Sequence, residues 1–214
     1  AYHSGDSAEI DWVLRRVRAA HPGRPLYAVG VSLGGNVLLK WLGERGAEAR
    51  TLVRAAAAVS VPFDLTASGH QLARGLNRLY TRHFLATLKP RSLAKLRRFP
   101  GLFDERRLQR ATTLHDFDNA VTAPLHGFAN ADDYWQRASS KPWLRTIEVP
   151  TLLVNARNDP FLPAQALPGA DEVAPAVRLD FSAEGGHVGF VSGDWPGHLD
   201  WLPRRLMHFL RHAP

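Results

Sequence analysis

Cysteine is absent from the 214 residues, and no apolar run approaches the roughly 20 residues that a membrane-spanning helix requires. Without cysteine the chain can form neither a disulfide nor a thiolate-ligated metal site, and we expect a reducing compartment, the cytoplasm. Charged residues make up 22% and hydrophobic residues 45% of the sequence. This composition excludes a disordered chain, a collagen-like repeat and a coiled coil, and is typical of a folded globular domain.

Short apolar runs alternate with amphipathic segments in the first and last thirds of the chain. Four runs are short enough to be strands of a sheet, and they lie at 26–31, 52–61, 151–155 and 177–181. Before the first run, a capping Asp6 precedes Ile10, Val13, Leu14 and Val17, which recur at helical spacing. Strands that alternate with helices predict an α/β domain with a mainly parallel sheet.

The middle of the chain shows helical periodicity only, broken by proline and glycine. We therefore expect a helical cap at residues 64–142, inserted between core segments 1–63 and 143–214. Residues 71–110 hold eleven Lys and Arg against two acids, a local net charge of +9. Three interpretations stay open: a solvated surface, a cap that meets anionic substrates or a membrane surface, and nucleic-acid binding, for which no motif is present.

The segment Gly30-Val31-Ser32-Leu33-Gly34 fits the pattern G-x-S-x-G, in which a sharp turn between a strand and a helix exposes a nucleophilic serine. Such a turn crowds its flanking residues, so we expect glycine at positions −2 and +2, Gly30 and Gly34, to relieve the contact. The backbone N–H of Leu33 is predicted to face a developing oxyanion. The alternative is a chance match, but the apolar run before the motif and the helical pattern after it favour a catalytic Ser32.

A serine nucleophile requires a base and an acid that orients the base, and with this motif they follow in the order Ser, Asp, His. Asp159 comes just after the third apolar run, at a carboxyl end of the predicted sheet. His187 follows two glycines after the fourth run, in a loop that we expect to be flexible and to carry it toward Ser32. The alternatives are an ordinary Asn-Asp-Pro turn and a histidine of a surface loop.

Three motifs together resemble the α/β-hydrolase superfamily, and more closely its YheT-type branch of hydrolases and esterases. They are residues 30–36, 158–161 and 185–190. Residues 1–5 and 117–127 are also similar to that branch, so the likeness covers essentially the whole chain. It implies Ser32 as nucleophile, His187 as base, Asp159 as orienting acid, and hydrolysis of carboxylic esters through an acyl-enzyme. It further implies a small-molecule or lipid acyl ester as substrate, with no cofactor and no metal.

The chain departs from the superfamily before the serine motif, where only one helix and one strand precede Ser32. We therefore expect a carboxyl-terminal portion of such an enzyme, without the first strands and the second oxyanion donor, and weak or no activity from this portion alone. The strand before Ser32 would then have an unpaired, apolar edge. Acyl transfer to an alcohol and a non-catalytic binding protein with a basic cap stay as alternative functions.

Overall fold

The computed structural model describes residues 3–213, which divide into two compact units; Ala1, Tyr2 and Pro214 lie outside the description. Unit 1 comprises segments 1–63 and 139–214, and unit 2 is the intervening segment 64–138. Unit 2 thus ends four residues before the predicted boundary at 142. Residues after 138 belong to unit 1 because the backbone N–H of Lys141 donates to the carbonyl of Phe63 at 3.0 Å.

Unit 1 is built on a parallel sheet whose described strands lie side by side in chain order. The strands are β1 (Tyr27–Val31), β2 (Ala55–Val59), β3 (Thr151–Ala156) and β4 (Val177–Ser182). Strands β2 and β3 are buried along their whole length, as expected where helices cover both faces of a parallel sheet. The predicted α/β architecture is confirmed.

The described α-helices are α1 (Ser7–Ala20), α2 (Leu33–Arg45), α3 (Ala49–Leu52), α4 (Leu65–Leu72), α5 (Arg78–Arg98), α6 (Glu105–Arg110), α7 (Leu114–Phe117), α8 (Ala123–His126), α9 (Ala131–Ala138) and α10 (Trp201–His212). Unit 1 contains α1 to α3 and α10, and unit 2 contains α4 to α9. Unit 2 has no strand among its residues, which agrees with the purely helical periodicity of that segment.

Helix α1 begins as predicted, since the side chain of Asp6 accepts a hydrogen bond from the backbone N–H of Glu9 at 3.3 Å. Its predicted apolar stripe is only partly buried: Leu14 is 8% exposed, whereas Val13 is 43% exposed. The packing of α1 against α2 also includes a polar contact. The buried carboxylate of Asp11 accepts a hydrogen bond from the indole N–H of Trp41 in α2 at 2.9 Å. Periodicity alone could not predict this choice of face.

Strand β1 lies at the end of the sheet and pairs only with β2 among residues 3–213. On one face of this strand Tyr27, Val29 and Val31 are 37%, 49% and 47% exposed. Among residues 3–213, β1 therefore has the unpaired edge that the sequence predicted, together with an exposed apolar face. Exposed edges of this kind are templates for pairing with further strands.

Unit 2 contains a partly buried carboxylate, that of Asp118. Asp118 begins a π-helical turn at Asp118–Thr122, and its two oxygens accept hydrogen bonds from the hydroxyl of Thr122 at 2.5 Å and the indole N–H of Trp135 at 2.7 Å. Burial raises the pKa of Asp118 to about 6, although these two bonds and the nearby imidazole of His115 favour the ionised form. The pKa of Asp118 thus lies about two units above its ordinary value of 3.8.

We expect this group to make the stability of unit 2 depend on pH. The pKa of Asp118 lies above its ordinary value of 3.8, so its contribution is fully present below about pH 4 and is lost as the pH rises through 6. The loss is on the order of 3 kcal/mol at neutral pH. Urea unfolding followed by tryptophan fluorescence from pH 4 to 8 should show a much smaller fall in stability for Asp118→Asn than for the wild type.

The matched control is Asp104→Asn, which removes the same charge from the amino-terminal cap of α6, where asparagine also caps well. This variant should follow the wild-type pH profile. Parallel profiles for the wild type and Asp118→Asn would show that Asp118 does not cause the pH dependence.

Candidate active site

Ser32 occupies the turn between β1 and α2 with φ 52° and ψ −124°. A positive φ is uncommon for a residue with a side chain, and such strained positions cluster at functional sites. The backbone N–H of Ser32 donates to the carbonyl of Val59 at 2.8 Å, which extends the pairing of β1 and β2 by one residue. The turn thus fixes the serine at the carboxyl end of the sheet.

The close contacts in this turn involve Gly30 and Gly35, whereas the predicted pair was Gly30 and Gly34. A Cβ at Gly30 would lie 2.6 Å from the carbonyl oxygen of Gly34 and 2.7 Å from the Cα of Gly35. A Cβ at Gly35 would lie 2.5 Å from a methyl group of Val61, whereas a Cβ at Gly34 would have no described atom within 4 Å. The prediction is therefore right for Gly30 and wrong for Gly34, because the residue that packs against the strand is Gly35.

Two neighbouring substitutions should separate these roles. Gly35→Ala is expected to lower the free energy of unfolding by about 1–3 kcal/mol, since the stiff side chain of Val61 leaves no room for a methyl group. Gly34→Ala should be neutral or stabilising by up to about 1 kcal/mol, because alanine is the better helix former. Urea unfolding of both variants measures the difference, and equal stabilities would contradict the packing described here.

The side chains of Ser32, His187 and Asp159 form one line of hydrogen bonds. Nε2 of His187 lies 3.0 Å from Oγ of Ser32, and its Nδ1 lies 2.9 Å from Oδ2 of Asp159. The three residues come from loops that follow β1, β3 and β4. Because these strands are parallel, their carboxyl ends share one edge of the sheet, and the structure brings together residues that are 155 and 28 positions apart.

The imidazole of His187 is held from two sides. The carboxylate of Asp159 is 1% exposed, and its other oxygen accepts a hydrogen bond from the backbone N–H of Phe161 at 2.8 Å. The ring of Phe161 packs against the imidazole with centroids 4.2 Å apart. These contacts restrict the orientation of the ring. Sequence reasoning missed the contribution of Phe161, for which the signal was an aromatic residue two positions after the acid.

Hydrogen bonds and ring packing hold the loop that carries His187, for which the glycines predict flexibility. The backbone N–H of Gly186 donates to the side-chain oxygen of Asn158 at 2.9 Å, and that of Phe190 donates to the carbonyl of Gly185 at 2.9 Å. The ring of Phe190 is buried and stacks on Trp201 with centroids 5.3 Å apart. Asn158 therefore has a structural role that its position in a turn did not reveal.

Two buried asparagines connect segments near the serine turn through hydrogen bonds to their backbone. Asn155, at the end of β3, accepts from the backbone N–H of Val61 at 3.1 Å and donates to its carbonyl at 3.3 Å. Asn36 in α2 accepts from the backbone N–H of Ser140 at 2.9 Å and donates to the carbonyl of Ser4 at 2.7 Å. The sequence signal for both was an amide within an apolar segment.

Ser60, at the end of the neighbouring strand, has the same positive φ as Ser32. It directly follows β2, has a φ of 52° and is 1% exposed. Its hydroxyl contacts no hydrogen-bond partner among the described residues. The two serines thus share a positive φ and a sheet edge, but Ser32 is the one bonded to a histidine.

The sequence matches the family described as alpha/beta hydrolase fold over residues 2–194. The chain belongs to this family. YheT of Escherichia coli (strain K12), named as a candidate esterase, is 36% identical over 211 residues, which are 98% of this chain and 62% of YheT. The phospholipase ABHD3 of Mus musculus is 34% identical over 98% of this chain and 51% of its own length. The predicted resemblance to α/β-hydrolases of the YheT type is confirmed.

The fold is shared with solved α/β-hydrolases. A hydrolase of this fold from Bacillus anthracis str. Sterne superposes with a TM-score of 0.56 at 14% identity, covering 99% of this chain and 76% of that one. At this identity the likeness shows the fold alone. Both curated relatives are longer, and this chain spans between half and two thirds of their length.

Within residues 3–213 no helix is long and apolar enough to cross a membrane. The same residues contain no group of three or more His, Asp or Glu side chains placed to hold a metal ion. The three interpretations of the basic segment 71–110 stay predictions.

Proposed function

We propose that the α/β-hydrolase to which this chain belongs is a serine hydrolase of carboxylic acyl esters. The observation that carries this proposal is the line of hydrogen bonds from Ser32 through His187 to Asp159. In this role Oγ of Ser32 attacks the acyl carbonyl carbon while Nε2 of His187 takes the hydroxyl proton. The resulting tetrahedral intermediate expels the alcohol, which receives that proton, and an acyl-enzyme forms. His187 then activates water, which releases the carboxylic acid.

Asp159 orients the base in this mechanism. With Oδ2 accepting the Nδ1 proton, Nε2 of His187 is left as the acceptor that faces Ser32. The carboxylate also stabilises the imidazolium that forms in the transition state, and its burial keeps water from competing for the bond. The backbone N–H of Leu33, at the start of α2, is the proposed donor to the oxyanion.

The proposed substrates are lipid-type or smaller acyl esters. Support comes from the relatives, whose names include a phospholipase and an esterase. Acyl transfer to an alcohol is the alternative within the same mechanism, since an alcohol can replace water in the second step. A cytoplasmic location, suggested by the lack of cysteine, stays part of the proposal.

A fluorophosphonate probe tests the proposal directly, because it phosphonylates an activated serine and requires no particular acyl chain. We expect one label on the full-length protein to which this chain belongs, located on Ser32 by peptide mass spectrometry. A series of p-nitrophenyl esters, assayed with and without methanol, then compares hydrolysis with acyl transfer. A label on another residue, or no label and no turnover, would favour a non-catalytic binding protein.

A further inference from the structure

A second concave site lies at the end of the sheet opposite Ser32. It is a cavity of about 500 Å³ at the amino ends of β1 and β2, and its floor includes Leu26, Val53 and Pro150. Ser32 follows the carboxyl end of β1, and the five residues of that strand separate the two ends by about 16 Å. The cavity is therefore distinct from the candidate active site and lies wholly within unit 1.

Four arginines from separate segments line this cavity. Arg18 comes from α1, Arg24 from the loop before β1, Arg50 from α3, and Arg54 from the residue before β2. No Asp or Glu belongs to the lining. Residues so far apart along the chain are brought together only by folding, so the cluster is a property of the structure and not a run of basic sequence.

These four arginines have no ion-pair partner within residues 3–213. Arginines close to them in the chain are neutralised: Arg15 pairs with Asp11 at 2.7 Å, and Arg45 pairs with Glu48 at 3.3 Å. The guanidinium of Arg18 is further held in place by donating to the carbonyl of Arg24 at 2.6 Å. The cavity thus concentrates positive charge that no neighbouring carboxylate balances.

We propose that this cavity binds a small molecule through a phosphate or diphosphate group. Guanidinium groups bind phosphate oxygens through paired, charge-assisted hydrogen bonds, and several of them around one concave site favour a multiply charged anion. A volume of about 500 Å³ exceeds that of a single phosphate and lies in the range of small-molecule sites. Such a ligand would relieve the mutual repulsion of the four side chains.

The test is isothermal titration calorimetry of the full chain with inorganic pyrophosphate and with inorganic phosphate at low ionic strength. The pocket variant is the double substitution Arg50→Gln and Arg54→Gln. The matched control is Arg91→Gln with Arg97→Gln, which removes two exposed arginines of α5 and changes the net charge equally. We expect the wild type to bind pyrophosphate more tightly than phosphate, and the pocket variant to bind it at least about tenfold more weakly. The control should bind within about twofold of the wild type.

Ser32→Ala completes the set, because it should bind pyrophosphate like the wild type if the anion occupies the arginine cavity. Loss of binding in Ser32→Ala would place the anion in the candidate active site and overturn the proposal. Equal weakening in the pocket variant and the control would indicate attraction by net charge alone, which also overturns it. The same holds if the wild type binds no pyrophosphate, or if the pocket variant binds it unchanged. Thermal unfolding of each variant establishes that the comparison is made on folded protein.

Discussion

Replacement of Ser32 by alanine is expected to lower kcat for ester hydrolysis by about 10⁴-fold or more, and to abolish labelling by a fluorophosphonate. The hydroxyl lies 3.0 Å from Nε2 of His187 and is the proposed nucleophile, so its removal leaves no atom to form the acyl-enzyme. The fold should be unaffected, because the backbone N–H and the turn that it anchors are retained. Steady-state kinetics with p-nitrophenyl esters and the midpoint of thermal unfolding, Tm, are the measurements.

Ser60→Ala is the matched control for this variant. Ser60 has the same positive φ at the end of the adjacent strand, but its hydroxyl contacts no base among residues 3–213. Activity should stay within a few-fold of the wild type. A Ser32→Ala enzyme that keeps most of its turnover would place the nucleophile elsewhere, and loss of activity in both variants would point to a general disturbance of the sheet edge.

The second large effect is expected from Asp159→Asn, which should reduce kcat by about 10⁴-fold while changing KM little. Asparagine fits the same space and can still accept from the N–H of Phe161. Its amide donates toward Nδ1 of His187, however, which moves the ring proton to Nε2. The base then presents a proton, and not a lone pair, to the hydroxyl of Ser32.

Asp180→Asn provides the comparison for this substitution. Asp180 lies in β4 and accepts a hydrogen bond from Nε of Arg205 at 2.6 Å, so it too is a partly buried, paired carboxylate. It contacts no member of the proposed triad, and its substitution should leave kcat near the wild-type value. If Asp159→Asn were equally mild, another group would have to orient His187.

The sheet could be predicted from the sequence because β1, β2 and β3 are short, mostly apolar runs and β4 alternates apolar and charged residues. Strands β3 and β4 lie within one residue of the predicted runs, and the meeting of Ser32, Asp159 and His187 follows from the parallel sheet. In such a sheet every strand delivers its following loop to the same edge. Local patterns therefore suffice to say which loops meet, even across 155 positions.

Features that depend on contacts between distant segments could not be predicted in this way. The tight glycine is Gly35 and not Gly34 because Val61, after β2, packs against it. Burial raises the pKa of Asp118, and the hydrogen bond that opposes this rise comes from Trp135, 17 positions away in α9. Likewise, the four-arginine cavity has no counterpart in any continuous stretch of sequence. In each case the deciding neighbour comes from another element.

The backbone hydrogen bond between Lys141 and Phe63 bears on how such proteins can diversify in evolution. The chain leaves unit 1 just after Phe63 and returns at Ser139, two residues before Lys141, so both ends of the insertion emerge from one place on unit 1. The proposed catalytic residues all lie in unit 1. An insertion anchored in this manner can lengthen, shorten or be exchanged between relatives without moving the catalytic groups, as tolerated insertions in general require. The charge and shape of unit 2 can then change during evolution while the proposed catalytic residues of unit 1 keep their positions.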